Sequence, residues 1–167
     1  MNNQNNLYLN TLLYDLPQAY AAITGSAQYP GLYGEVTFYG VPEGVLVFAR
    51  ITGLPTDPGT CQGSIYGFHI HAGGSCSGTK EEPFKNAGGH YNPGDCPHPA
   101  HAGDLPSLFG NNGFAWSAFL TDRFKVSDII GKTVIIHAKA DDFTSQPSGA
   151  AGTMIGCGRI NTVDVNL

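Results

Sequence analysis

Short runs of alternating apolar and polar residues recur along the chain with a period of two, the pattern of half-buried strands. Ala19 to Thr24 (AYAAIT) and Leu32 to Tyr39 (LYGEVTFY) are predicted strands separated by a turn at Pro30-Gly31. Val45 to Ile51 (VLVFARI) follows a turn at Pro42-Glu43-Gly44. In Tyr66 to His71 (YGFHIH), His69 and His71 share one strand face while Phe68 and Ile70 share the other. Phe114 to Leu120 (FAWSAFL) comes after the turn signal Asn111-Asn112-Gly113. Lys132 to Ala138 (KTVIIHA) is β-branched and apolar, and Cys157 to Val165 (CGRINTVDV) closes the pattern. No segment sustains a 3.6-residue apolar repeat, so helix should be minimal. The pattern predicts an all-β domain of roughly eight strands, a Greek-key β-barrel or immunoglobulin-like sandwich.

Two stretches break the alternation. Residues 72–104 are rich in Gly, Pro and His, and residues 139–156 in Ala, Gly, Ser and Asp. Long structureless loops in a compact domain are usually functional or disordered. A loop holding His90, His98, His101 and Asp104 is expected to be tied down by metal.

Composition narrows this picture. The 167 residues suit one domain with a substantial core. Twenty-three glycines and eleven prolines form no repeat and punctuate the apolar runs, as turns in an all-β chain would. A net charge of −5, with eight Lys and Arg spread along the chain, excludes a nucleic-acid stripe. No apolar run approaches the ~18 residues of a membrane span. Residues 1–17 lack a basic start, a long apolar core and a small-residue cleavage site, so they are expected to be a polar tail, not a signal peptide. The folded domain is then 18–167. Cys61, Cys76, Cys96 and Cys157 allow three full pairings and show no C-x-x-C spacing. Disulfides are the better reading, and they imply an oxidising compartment.

The chemistry is carried by the six histidines. An H-x-H pair on a strand, His69 and His71, aims two imidazoles at one point but is not specific alone. His90 sits in the constrained GGHYNP run, and His98, His101 and Asp104 form a compact N/O set suited to zinc. His137 ends a late predicted strand and is followed by Lys139-Ala140-Asp141-Asp142. Imidazole in this number suits copper and zinc.

Taken in order, GFHIH, GGHYNP, HAGDL, IIHAKADD and the final AG-x-x-x-GCG run resemble the copper/zinc superoxide dismutase family over about residues 18–165. The resemblance implies that His69, His71, His90 and His137 bind copper and that His90, His98, His101 and Asp104 bind zinc, with His90 as the bridge. It implies that Asp141 links a copper histidine to a zinc histidine, and that Cys76 pairs with Cys157. Cys61 and Cys96 are left either as a second bridge or as two thiols. The implied substrate is the superoxide anion, with no nucleic-acid or membrane partner; a homodimer is left open.

Three departures bear on activity. The family's channel arginine is replaced by Met154, an uncharged thioether. Residues 139–156 carry no cation after Lys139, and Arg159 is expected to face solvent rather than replace the missing charge. The spacing of His98 and His101 compresses the zinc loop without forbidding zinc. A superoxide dismutase of reduced rate is therefore expected. The alternative is a non-catalytic copper/zinc-binding module for metal handling or partner binding.

Overall fold

The computed structural model describes residues 4–56 and 64–163. Among these residues there are nine strands: β1 (Ala19–Gly25), β2 (Tyr33–Val41), β3 (Gly44–Thr52), β4 (Ile65–Tyr66), β5 (Phe68–His71), β6 (Leu108–Phe109), β7 (Phe114–Thr121), β8 (Thr133–His137) and β9 (Met154–Thr162). Seven form one antiparallel sheet in the order β5-β8-β9-β1-β2-β3-β7, and β4 pairs with β6. The sheet curls into a half-barrel, the Greek-key arrangement that the alternation predicts.

Alternation decides what lies inside the curl. Val36, Phe38, Val47, Ala49 and Ile51 from β2 and β3 meet Phe68, Ile70, Val134 and Ile136 from β5 and β8 in one buried cluster. Each large side chain so buried stabilises the fold by about 1.5–3 kcal/mol relative to exposure. Because Phe68 and Ile70 face the core, His69 and His71 must leave β5 on the opposite side. There a smaller apolar cluster of Ile135, Cys157, Phe84 and Ala87 seats residues 72–104 on the sheet.

The strand predicted over 66–71 is divided at Gly67, whose N–H donates to the Lys139 carbonyl at 2.7 Å and whose carbonyl accepts from His137 N–H at 2.9 Å. The free edge of β5 is covered by the long loop. Ile70 N–H donates to Gly103 O and Tyr91 N–H donates to Ile70 O, both at 2.8 Å. An open sheet edge is thereby paired and the metal-type residues are delivered alongside β5.

The stretch expected as a polar tail, residues 1–17, contains a helix. Gln4–Tyr14 is an 11-residue helix, α1, which buries Thr11 and leaves Leu9, Leu13 and Tyr14 exposed. Its buried position Thr11 is polar while Leu9 and Leu13 face out, so no apolar stripe marked it. Among the described residues, other helix is limited to α2 (Val126–Ile129) and a 3-10 turn at Lys85–Ala87. The last strand begins at Met154, three residues before its predicted start; Val165, its predicted end, lies outside the described residues.

Candidate metal centre

β5 supplies His69 and His71, β8 supplies His137, and the loop over 72–104 supplies His90, His98, His101 and Asp104. Ligand-type atoms of His69, His71, His90 and His137 lie within 4.8 Å of one another, and so do those of His90, His98, His101 and Asp104. His90 belongs to both groups. All these side chains are buried or nearly so.

Hydrogen bonds fix which ring nitrogen each histidine leaves for a metal. His71 Nδ1–H donates to Gly88 O at 2.7 Å and His137 Nδ1–H to Gly152 O at 3.1 Å, so Nε2 is left on each, and the two Nε2 atoms are 3.3 Å apart. His69 and His98 are turned the other way: their Nε2–H groups donate to Asp141 Oδ2 at 2.7 Å and Oδ1 at 2.9 Å. That leaves His69 Nδ1 and His98 Nδ1 buried with no hydrogen-bond partner, and His90 Nε2 is a third such atom. Buried polar atoms without partners are costly and rare. Three orphaned imidazole nitrogens at the meeting point of two clusters are the condition that a pair of metal ions would relieve.

The second group has the dimensions of a four-coordinate site. Tetrahedral zinc with bonds of about 2.0–2.1 Å places its donor atoms roughly 3.3 Å apart. His90 Nδ1 and His101 Nδ1 are 3.4 Å apart, and Asp104 Oδ2 is 3.0 Å from His98 Nδ1 and 3.3 Å from His101 Nδ1. Asp104 Oδ1 is closer to His90 Nδ1, at 2.7 Å.

Electrostatics prepare the same groups. Burial, then the imidazoles of His90, His137 and His71, push His69 far below the usual histidine range. Burial followed by the charge of His137 lowers His71 to about 3. Burial also lowers His137 to about 4, against the Gly152 hydrogen bond that favours its charged form. These rings are neutral at pH 7, the form that ligates metal. For Asp104, burial is the largest influence and pushes upward, but the His90 hydrogen bond with the charges of His90, His98 and His101 holds it down at about 2.

Three supports were not foreseen from sequence. Gln146 clamps His98 by its backbone: His98 N–H donates to Gln146 Oε1 at 3.0 Å and Gln146 Nε2 donates to His98 O at 2.7 Å. Gly149, at φ +70°, passes so close to the Asp141–His98 hydrogen bond that a Cβ there would lie 1.9 Å from Asp141 Oδ1. Arg123 reaches the loop from behind, through the carbonyls of Pro99, His101 and Asp104. Single residues in turns carry no periodicity, so no sequence signal singled them out.

Cys76 and Cys157 form a disulfide that ties the loop to β9. Cys96 is exposed and bonded to no described cysteine; Cys61, its candidate partner, lies outside the described residues. A cavity of about 650 Å³ opens onto His71, His90, His101 and His137. Half-buried Met154 lines it, beside Phe84, Gly152 and Thr153, and packs on the disulfide-bearing apolar cluster. The described residues lining it include Glu81 and Glu82 but neither Lys nor Arg. Arg159 is exposed and lies outside that lining, as expected.

Comparison with known proteins agrees with this geometry. The family model described as "Copper/zinc superoxide dismutase (SODC)" matches residues 32–160. A Cu-Zn superoxide dismutase of Legionella pneumophila is 35% identical over 148 residues, spanning 84% of this chain and 85% of the relative. That of Deinococcus radiodurans is 32% identical over 149 residues, 78% of each chain. The solved Cu/Zn superoxide dismutase from Brucella abortus shares the fold at a TM-score of 0.71 and 26% identity, covering 84% of this chain and 98% of that one. The histidine clusters fit copper and zinc, and the chain belongs to the copper/zinc superoxide dismutase family.

Proposed function

We propose that the protein disproportionates superoxide to oxygen and hydrogen peroxide at a copper–zinc pair bridged by His90. The observation that carries this reading is the membership of His90 in both clusters, with Nδ1 turned to Asp104 and Nε2 buried without a partner. His69 through Nδ1, with His71, His90 and His137 through Nε2, would hold copper. His90, His98 and His101 through Nδ1, with Asp104, would hold zinc. Copper, when bound, supplies one-electron chemistry, taking an electron from one superoxide and giving one to the next; zinc has no redox role.

The chain's own residues supply the rest. Asp141 fixes the tautomers of His69 and His98, so both present Nδ1. The Gly88 and Gly152 carbonyls do the opposite for His71 and His137, so both present Nε2. When not held by copper, His90 Nε2 would be free to carry one of the two protons that the peroxide product needs, with solvent providing the second. The zinc-side partners Asp104 and His101 keep its ring in place meanwhile. Fixed ligands keep reorganisation small. Anion entry is the weak step. Met154 carries no charge, and the cavity wall bears Glu81 and Glu82 without a cation, so the electrostatic gain of about 10- to 1000-fold available to a positive funnel is reduced.

The same cavity wall favours a second reading, a copper/zinc-holding module without useful turnover. Loading with both metals, metal analysis and pulse radiolysis separate the two. One copper and one zinc per chain with second-order consumption of superoxide supports the enzyme. Full occupancy without such consumption supports the module, and zinc alone after copper loading defeats both.

A further inference from the structure

We infer that Arg123 is a positioning residue that pre-forms the His98–Asp104 half of the centre; this rests on the reading that His90, His98, His101 and Asp104 hold zinc. Arg123 lies in the turn after β7, outside both long loops. Its Nη1 is 3.1 Å from Pro99 O, 3.2 Å from His101 O and 3.1 Å from Asp104 O. Three backbone oxygens thus converge on one guanidinium nitrogen.

Such an arrangement has a clear physical consequence. Three carbonyl dipoles pointing at one place repel one another unless a cation sits between them. A guanidinium is permanently charged, and hydrogen bonds from a charged donor are roughly twice as strong as neutral ones. Among the described residues no carboxylate lies within ion-pair distance of Arg123, so these carbonyls are its bonding partners. The contacted carbonyls bracket His101 and end at Asp104. Inside the same turn, Asp104 N–H donates to His101 O at 3.2 Å, and His101 N–H donates to Asp104 Oδ2 at 3.0 Å. Arg123 therefore holds the bend that sets the spacing of His98 Nδ1, His101 Nδ1 and Asp104 Oδ2, while its guanidinium hydrogen bonds all go to backbone carbonyls. His71 and His137 are oriented from outside this bend, by the Gly88 and Gly152 carbonyls.

The test compares zinc and copper affinities of the full chain and of Arg123→Ala, each measured by competition with a chromophoric chelator. Loss of an outer partner typically weakens metal binding about 10- to 100-fold. Zinc affinity is expected to fall by that factor in Arg123→Ala, with copper affinity at His69, His71 and His137 changed less than about threefold. The visible spectrum of cobalt placed in the zinc site should shift with it. Should Arg123→Ala fail to fold, Arg123→Lys carries the comparison, since it keeps the charge on a shorter reach and should lose part of the zinc affinity. Unchanged zinc affinity and cobalt spectrum, or equal loss of both metals, overturns the proposal. A wild-type chain that binds copper and no zinc overturns the underlying assignment, and this inference with it.

Discussion

Asp141 Oδ2 and His69 Nε2 lie 2.7 Å apart although 72 residues separate them, and the other oxygen of the same carboxylate accepts from His98 at 2.9 Å. Both side chains of the first pair are fully buried. One carboxylate thus sets the tautomer of a histidine in each cluster. In Asp141→Asn the amide accepts through oxygen only, so its NH2 faces one of the two imidazole N–H groups and that ring must turn. Affinity for both metals should fall about 10- to 100-fold by chelator competition. Loss of only one metal would mean that the carboxylate serves only that half.

Gly149 protects this link. Its φ of +70° disfavours other residues, and a Cβ would also lie 2.7 Å from His98 Nε2. Gly149→Ala should destabilise the metal-free protein by about 1–3 kcal/mol in urea unfolding, the usual cost of forcing atoms into a packed site. It should also weaken both metals in the manner of Asp141→Asn. Unchanged unfolding and metal affinity would show that residues 139–156 can move aside.

His90 and His71 should respond differently to truncation. His90→Ala removes a donor from both clusters and should reduce occupancy of copper and zinc together. His71→Ala removes one of the first cluster alone and should spare zinc. Metal analysis after dialysis against each ion distinguishes them. Equal zinc loss in the two variants would argue against a shared imidazole.

Much of this centre is legible in sequence because strand periodicity is strict. Once Phe68 and Ile70 are assigned inward, His69 and His71 have to face the loops, and both are buried there. The order of motifs then brings Asp104 and Asp141 into the same neighbourhood. What periodicity cannot convey is support from isolated residues. Arg123 and Gln146 act through hydrogen bonds to loop backbone, and Gly149 through the space its missing side chain leaves, with partners set by the path of the loops. Helix α1 escaped for a related reason: Thr11 is buried while Leu9 and Leu13 are exposed, the reverse of an amphipathic pattern.

The Cys76–Cys157 bond closes a sequence separation of 81 residues and anchors the segment that carries Gly88, whose carbonyl orients His71. Chain-entropy arguments give about 4.5 kcal/mol for a loop of that length. The Cys76→Ser/Cys157→Ser double variant should lose stability of this order in urea unfolding and should bind copper less tightly. Unaltered copper affinity would mean that Phe84 and Ala87 seat the segment without the disulfide.

Met154 is an uncharged side chain in a cavity wall whose described residues include no Lys or Arg. It lines the same cavity as His71, His90 and His137, with Glu81 and Glu82 as the ionisable rim beyond the histidines. Met154→Arg would place a cation there. Superoxide is an anion, so attraction should raise the second-order rate about tenfold, at the low end of the range for electrostatic steering. Because that gain is coulombic, added salt should screen it: the rate of the variant should fall with ionic strength more steeply than that of the wild type. Pulse radiolysis across a salt series reads both quantities. An unchanged rate with an unchanged salt slope would mean that residue 154 does not govern entry of the anion, and that the charge at the cavity wall is not what limits turnover.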